Sequence, residues 1–491
     1  MTPAFHQKSD FSRLIFSLLF LSSSSVFSAE ASMDELLQGF DDSEPAASAS
    51  TVNENESELD DLLSGFDEPA DNSTATNNSE TSAIDTVVIE NRWNLNTLLS
   101  VSSSYSYQQS KPATGEADYR GITHLKFKLQ PELRYKFNDD WDSVFSVNAF
   151  YDPMYRIKGR SDFTDEALES SESELEVREL YLRGTLTNSL DIKIGRQIVV
   201  WGKSDSLRVV DVLNPLDFRE PGMVDIEDLR LPVTMLKTDY YTGDWNISFI
   251  VIPEIRFNKM PAYGSDFYFG GSKPPADETI PDDISNPEFA LAFIGNFSGW
   301  DLSLHFANYY NDSPHFVNTT PPHLEHSRLN MAGAAANVVK GSWLFKSEIA
   351  YIDGLEFANS NNEFARGDAM VGIDYNGVAD MTFSVETVNR HIMDYEAILN
   401  TPKDNTQKNE NQISLRYTAS FMHDKLNATI LTSFFGKSPD DGGFYRGSFD
   451  YEINQGMSII FGGIVYQSGD SQLLKSIASN DRVFVDYRYS F

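Results

Sequence analysis

Residues 125–137 read LKFKLQPELRYKF. Leu125, Phe127, Leu129, Leu133, Tyr135 and Phe137 fall on odd positions; Lys126, Lys128, Gln130, Glu132, Arg134 and Lys136 fall on even ones. A period of two is a strand with one apolar and one polar face. The pattern recurs. WDSVFSVNAFY follows the turn NDD, and the chain finishes NDRVFVDYRYSF, where Val483, Val485, Tyr487, Tyr489 and Phe491 alternate with Phe484, Asp486, Arg488 and Ser490. Pro131 cannot donate to a ladder and predicts a bulge in its strand.

The breaks between strands have a rhythm. Besides NDD, tight turns stand at TNS (187–189), TGD (242–244), FSG (297–299), KGS (340–342), NGVAD (376–380), MHDK (422–425) and NQG (454–456). Between them lie long connections near 109–119, 158–174, 201–231, 254–286, 312–326, 354–365, 391–410, 437–443 and 469–480. Eight short turns alternating with nine long loops give eighteen strands, with sixteen left open, and place both ends on the short-turn side. One short rim and one elaborate rim describe an all-β, up-and-down transmembrane β-barrel over residues 91–491. In a closed barrel the last strand pairs with the first and has no edge. Its apolar face meets outer-membrane lipid, and the ending Tyr487, Tyr489, Phe491 resembles the C-terminal signal that bacterial barrel-assembly machinery reads. Lys or Arg on a lipid face costs about 2–4 kcal/mol at the midplane. Lys126, Lys128, Arg134 and Lys136 are therefore assigned to the lumen beside Glu132. The lumen is then wet or filled by a polar plug.

The first residues change the picture of location. Lys8 and Arg13 precede LIFSLLFLSSSSVF and the small residues Ser28, Ala29 and Ala31, a secretory signal over 1–29 with cleavage between Ser28 and Ala31. No apolar run of about 20 residues follows, so no helical span is expected. The chain has no cysteine, hence neither disulfides nor a lipid-modified N-terminal cysteine. Residues 30–92 hold 17 acidic side chains against one basic, within a chain of net charge -35, which excludes a nucleic-acid binder. Residues 30–90 read as a disordered acidic periplasmic tail. Within it DELLQGFDD (34–42) recurs as DDLLSGFDE (60–68), and Leu36, Leu37 and Phe40, like Leu62, Leu63 and Phe66, share one side of a helical turn. Two copies of a docking motif for a periplasmic or inner-membrane partner is one reading. A gate entering the basic lumen and a solvating spacer are the others.

The segment YLRGTLTNSLDIKIGRQIVVWGKSDSLRVVDVLNPLDFREP, continuing to LRLPVTMLKTDYY, is denser in specific features than the rest. Arg183 and Arg196 sit in or next to strands, Trp201-Gly202 ends one, and Asn214-Pro215 lies in a turn-rich stretch. The string resembles a poorly characterised family of proteobacterial outer-membrane barrels with a shared core REAYL…GRQ…WG(E/K)…N.INP.D…LP, often encoded beside RND-type exporters of the MMPL kind. The likeness spans about 93–491 and is strongest at 178–240; Lys203 departs from it where an acid is frequent. It implies transport of hydrophobic or amphiphilic, lipid-like solutes with a periplasmic or inner-membrane RND-type partner. From the residues themselves, segment 196–232 is expected to fold inward and constrict the lumen, with Arg196, Lys203, Arg208, Asp211, Asp217 and Arg219 as a paired-charge collar. Salt bridges that only brace the loop are the alternative. Loop 254–286 is either a lid or a solvated surface loop.

Enzyme chemistry finds little support. His124 and His305 are single strand positions, and HFVNTTPPHLEH, with His315, His323, Glu325 and His326, is a weak metal pattern in an outer loop. No nucleophile elbow, phosphate loop or dinucleotide fingerprint appears, and no cofactor is expected. The sequence reads as a Gram-negative outer-membrane channel or transporter. A general diffusion porin and a structural or adhesive surface barrel are the alternatives. A filled lumen with a lateral gap would favour the transporter, an open wet pore the porin.

Overall fold

The alternating segments become eighteen strands of one sheet in the computed structural model. It describes residues 92–491 except 114, 225, 271–272, 275–277 and 282–284. The secretory signal, the acidic tail and the motif residues Leu36, Leu37, Phe40, Leu62, Leu63 and Phe66 lie outside the described residues. The first strands are β1 (Trp93–Ser106), β2 (Gly121–Lys136), β3 (Trp141–Tyr151), β4 (Ser173–Thr187), β5 (Leu190–Gln197) and β6 (Val233–Thr242). Then come β7 (Trp245–Ile252), β8 (Glu288–Phe297), β9 (Trp300–Tyr310), β10 (Arg328–Lys340), β11 (Trp343–Leu355) and β12 (Phe364–Val378). The last six are β13 (Met381–Ile392), β14 (Asn409–Phe421), β15 (Leu426–Phe434), β16 (Gly443–Asn454), β17 (Met457–Gln467) and β18 (Arg482–Ser490). Each strand pairs antiparallel with its chain neighbours, and β18 pairs with β1 from Leu98↔Ser490 to Ser106↔Arg482, closing the barrel. Both ends of the barrel segment lie on the short-turn rim, as the turn rhythm predicts. The last residue completes the seam: the Thr97 N–H donates to the Phe491 carbonyl at 2.8 Å, and Phe491 returns the bond at 3.1 Å.

Strand parity places the apolar residues outside. Phe127 and Leu129 on β2, Phe345 and Ile349 on β11, Val371 and Ile373 on β12, and Val483, Val485 and Tyr487 on β18 are all exposed. Their neighbours in sequence point inward, where Lys346, Glu348, Asp374 and Glu386 are buried. A closed sheet pairs most backbone groups within the wall, and an apolar outer face suits hydrocarbon, so this architecture is built to cross a bilayer. Aromatic pairs cluster at the short-turn rim, among them Trp93–Tyr135, Phe297–Trp300, Trp343–Tyr375 and Tyr489–Phe491, as an interfacial girdle requires.

The bulge expected at Pro131 is absent. β1 and β2 keep one register from Trp93↔Tyr135 to Ser104↔His124, through Thr97↔Pro131, and shift only beyond His124. On its other side β2 holds the same register before and after the proline, with no pair at 130 or 131. The imino position is absorbed as a gap in one ladder, and the nearest irregularity lies one strand on, opposite Ser146 and Val147.

Candidate functional site

The lumen is organised by residues 198–232, between β5 and β6. Gly195 is paired within β5 but has φ 127°, and a Cβ there would stand 2.2 Å from the Leu180 carbonyl oxygen; the chain leaves the wall after Gln197. Val199, Trp201, Leu207, Val209, Val210 and Leu213 then pack in one apolar cluster with inward residues of β6 to β13, including Ile250, Ala292, Met331, Ile352, Met370 and Val388. Alanines at 290, 292, 307, 335 and 350 leave the space this segment fills. Trp201 lies 4.6 Å, ring to ring, from His305.

Polar contacts fix the segment's path. Gly202 has φ 90°, and a Cβ on it would meet Glu348 Oε1 at 2.7 Å. Glu348 accepts the N–H groups of Lys203, Ser204 (2.9 Å) and Val210 (3.2 Å). Glu386 accepts the Ser204 hydroxyl at 2.6 Å and the N–H groups of Asp205 (2.9 Å) and Ser206 (3.0 Å). Lys346 joins Asp205 and Asp374, at 2.7 Å from the latter. Asn214 staples the two ends: its Oδ1 accepts from the Val199 N–H at 2.9 Å, and its Nδ2 donates to the Leu231 carbonyl at 2.8 Å. The Leu231 N–H in turn donates to the Pro215 carbonyl at 2.8 Å. Buried main-chain donors need such partners, because a bare segment crossing a lumen has no ladder of its own.

The six charged residues expected to form a collar do not make one ring. Lys203 pairs with Asp301 at 2.7 Å; Arg208 and Arg230 share Asp211 at 3.3 and 3.0 Å. These belong to the stretch packed on the β6–β13 side. Asp217 pairs with Arg219, which also reaches Glu174 at 2.9 Å on β4. Arg196 bonds to Glu254 and, at 3.1 Å, to Glu176. The set splits because Arg196, Lys203 and Arg219 reach acids on the wall or the next loop, far away in sequence, whereas Arg208, Asp211 and Asp217 pair within the segment. Lys126 reaches inward to Glu220 at 3.1 Å, whereas Arg134 pairs with Glu132 at 2.8 Å. Lys136 pairs with Asp139 at 3.1 Å, at the short-turn rim. Sequence reasoning passes over Glu174, Glu176, Glu254, Arg256 and Lys259. SELEVRELYL carries a signal for the first two: acids alternating on one face of a strand.

Between this segment and the opposite wall lies a cavity of about 610 Å³. Lys126, Lys128, Arg178 and Arg219 line it with Glu174, Glu176, Asp228 and Asp486, and Leu98, Phe150, Met223, Val224, Ile460 and Phe484 make its apolar walls. Burial alone would raise the Glu220 carboxyl, but Lys126, His124 and Arg482 outweigh it and hold the group well below the usual carboxylate range. Lys128 and Arg178 face the cavity with no ion pair or hydrogen bond among the described residues. The described residues 258–268 of the loop after β7 reach across to the β17–β18 side. Tyr263 accepts from Thr164 at 2.6 Å, while Phe267 is buried with Ile464 and Tyr466 on β17, and Asp266 meets Arg482 on β18 at 3.0 Å.

The histidines of the long loops do not converge. His326 bonds to Glu278 at 2.7 Å and to the Asn311 carbonyl at 2.6 Å, while His315 stands 3.5 Å from Glu356. Beside them, burial pushes the Asp312 carboxyl up to about 7, with Arg208 opposing the shift and Asp211 adding to it. A folded value above the ordinary one of about 4 means that the folded state keeps its proton longer. Stability is therefore expected to fall as pH rises from about 4 to about 7 and to level off above. Urea titrations across that range should show the decline, and Asp312→Asn should lack it.

No curated protein matches the sequence. Solved structures with a similar chain path include OccAB2 of Acinetobacter baumannii, at 11% identity, 81% of this chain and 98% of that one, TM-score 0.47. OccK1 (OpdK) of Pseudomonas aeruginosa matches at 9% identity over 81% and 98%, TM-score 0.47. The outer membrane channel DcaP of Acinetobacter baumannii matches at 10% identity over 81% and 97%, TM-score 0.40. Residues 45–491 match the profile of the family described as Protein of unknown function (DUF1302), and the chain belongs to that family.

Proposed function

We propose that this protein is an outer-membrane transporter for hydrophobic or amphiphilic, lipid-like solutes, with the long loops outside the cell and the acidic tail in the periplasm. One observation carries the reading: the lumen is partly filled, and what remains is an amphiphilic chamber. Segment 198–232 occupies the β6–β13 side, and the 610 Å³ cavity beside it sets apolar surface against the cations Lys128 and Arg178. A wide diffusion pore needs a continuous wet passage; a carrier of amphiphiles needs a place for both ends of the molecule. In this reading Arg196, Lys203, Arg208, Asp211, Asp217 and Arg219 hold the constriction in shape. The duplicated motif in the tail, by its two-fold repeat of Leu, Leu and Phe, supports docking to a periplasmic or inner-membrane RND-type partner.

Single-channel recording in planar bilayers tests this. The mature protein is expected to show no steady open conductance, with residues 30–85 present or deleted. Steady conductance from both forms would make it a diffusion porin. Conductance that appears only on deletion would make the tail a gate of the lumen.

A further inference from the structure

The wall has one long edge without a strand beside it. β4 has 15 residues and pairs with β3 from its first residue, Ser173↔Tyr151, to Gly184↔Trp141. β5 has eight and pairs with β4 only from Leu180↔Arg196 to Thr187↔Leu190. Residues 173–179 thus have a ladder on one side alone. The cause is local: after Gln197 the chain leaves the wall for the lumen, and β6 and β7, with ten and eight residues, stay low as well.

An uncovered strand edge does not persist against hydrocarbon unless something polar closes it. Here side chains do so. Glu176 holds Arg196 at 3.1 Å, Lys259 at 2.8 Å, and Arg256. Glu174 holds Arg219 at 2.9 Å and Lys259. Every cation comes from the end of β5 or from the loops at 198–232 and 253–287. On the outside the lip is apolar: Leu175, at 79%, is the most exposed large apolar side chain among the described residues, and Val177, Val200 and Met260 are exposed too. On the inside, Glu174, Glu176 and Arg178 line the cavity.

We infer that this junction is a lateral gate, through which an anionic amphiphile passes between the cavity and the bilayer leaflet at the long-loop rim. The inference rests on the amphiphile reading above and adds the route and the charge. Ion pairs part and reform without breaking any ladder hydrogen bond, so the gate can open while the barrel stays closed as a sheet. An anionic headgroup substitutes for Glu174 and Glu176 on the cations facing them. The alkyl chain meanwhile moves over Leu175 and Val177. The cations exchange one charge-assisted partner for another and are never left bare.

The absence of cysteine makes the test clean. Glu174→Cys with Lys259→Cys puts two thiols at the junction; a bis-thiol-reactive cross-linker with an internal disulfide bridges them, and the same protein is compared in vesicles with the linker intact and reduced. One probe is a membrane-embedded long-chain carboxylate bearing a photoreactive group; the other is a water-soluble short-chain carboxylate with the same group. Labelling of cavity residues such as Phe150 and Met223 is read by peptide mass spectrometry. The intact link is expected to cut labelling by the long-chain probe on the order of ten-fold, because it holds the junction shut. The short-chain probe should label equally in both states. Equal labelling by the long-chain probe in both states overturns the gate and leaves the cavity standing. No labelling by either probe in either state overturns the cavity reading and the gate with it. A second variant, Glu176→Gln, keeps the shape and weakens the closure; it should raise long-chain labelling, and a fall or no change counts against the gate.

Discussion

Glu348→Ala combined with Glu386→Ala is expected to turn a silent barrel into a conducting one. These two carboxylates, on β11 and β13, accept five N–H groups and one hydroxyl from residues 203–210. Removing them leaves buried donors bare, at roughly 1–3 kcal/mol for each group. The ion pairs Lys346–Asp205 and Lys203–Asp301 would keep two ties, and the apolar cluster around Trp201 a third. Five bare N–H donors outweigh two ion pairs, so residues 203–210 should leave the wall. Single-channel conductance should then rise from baseline to large steps, and protease should cut within 203–210. Unchanged conductance would mean that apolar packing alone holds the segment. Glu348→Gln with Glu386→Gln, which still accepts hydrogen bonds, is expected to stay near the parent.

Lys128→Ala with Arg178→Ala should abolish discrimination between charged and uncharged amphiphiles. Both side chains enter the cavity without a direct ion pair or hydrogen bond among the described residues, while Lys126 and Arg219 already hold acids. A hydrogen bond to a charged group contributes about 1.5–3 kcal/mol, and 1.4 kcal/mol is about ten-fold in affinity. Removing both cations therefore predicts a drop on the order of 100-fold for a fatty carboxylate. An uncharged alkyl glycoside of the same chain length should bind as before. Calorimetry with the two ligands separates the cases; equal drops for both would point to a collapsed cavity rather than to missing charge recognition.

Much of the wall is legible in the chain because the rules that build it are local. Alternation at 125–137 places Lys126 and Lys128 inside and Phe127 and Leu129 outside, since side chains on a strand alternate whatever the partner. The turns NDD, TGD and NQG mark the short rim for equally local reasons. Pro131 misleads because a missing donor harms only the ladder its N–H would join, and nothing in the sequence tells which neighbour that is. The charge partners mislead for a related reason. Arg196, Lys203 and Arg219 stand out in one dense segment and invite grouping. Glu174, Asp301 and Glu254, which hold them, sit in ordinary-looking strands and loops. KSEIAYID and FSVETVNR, which carry Glu348 and Glu386, look like any strands with a wet inner face.

What the sequence determined by itself is the membrane barrel: a strand number of eighteen or sixteen, the two unequal rims, the direction of each strand face and the closing aromatic strand. All follow from period, turn chemistry and the cost of charge in lipid, which act over a few residues at a time. Only the tertiary structure decided that residues 198–232 fill one side of the lumen, that Glu348 and Glu386 hold them there, and that β4 keeps a bare edge closed by ion pairs. Those outcomes depend on which distant strands come to lie opposite one another. Barrel closure sets that arrangement, and no local pattern encodes it.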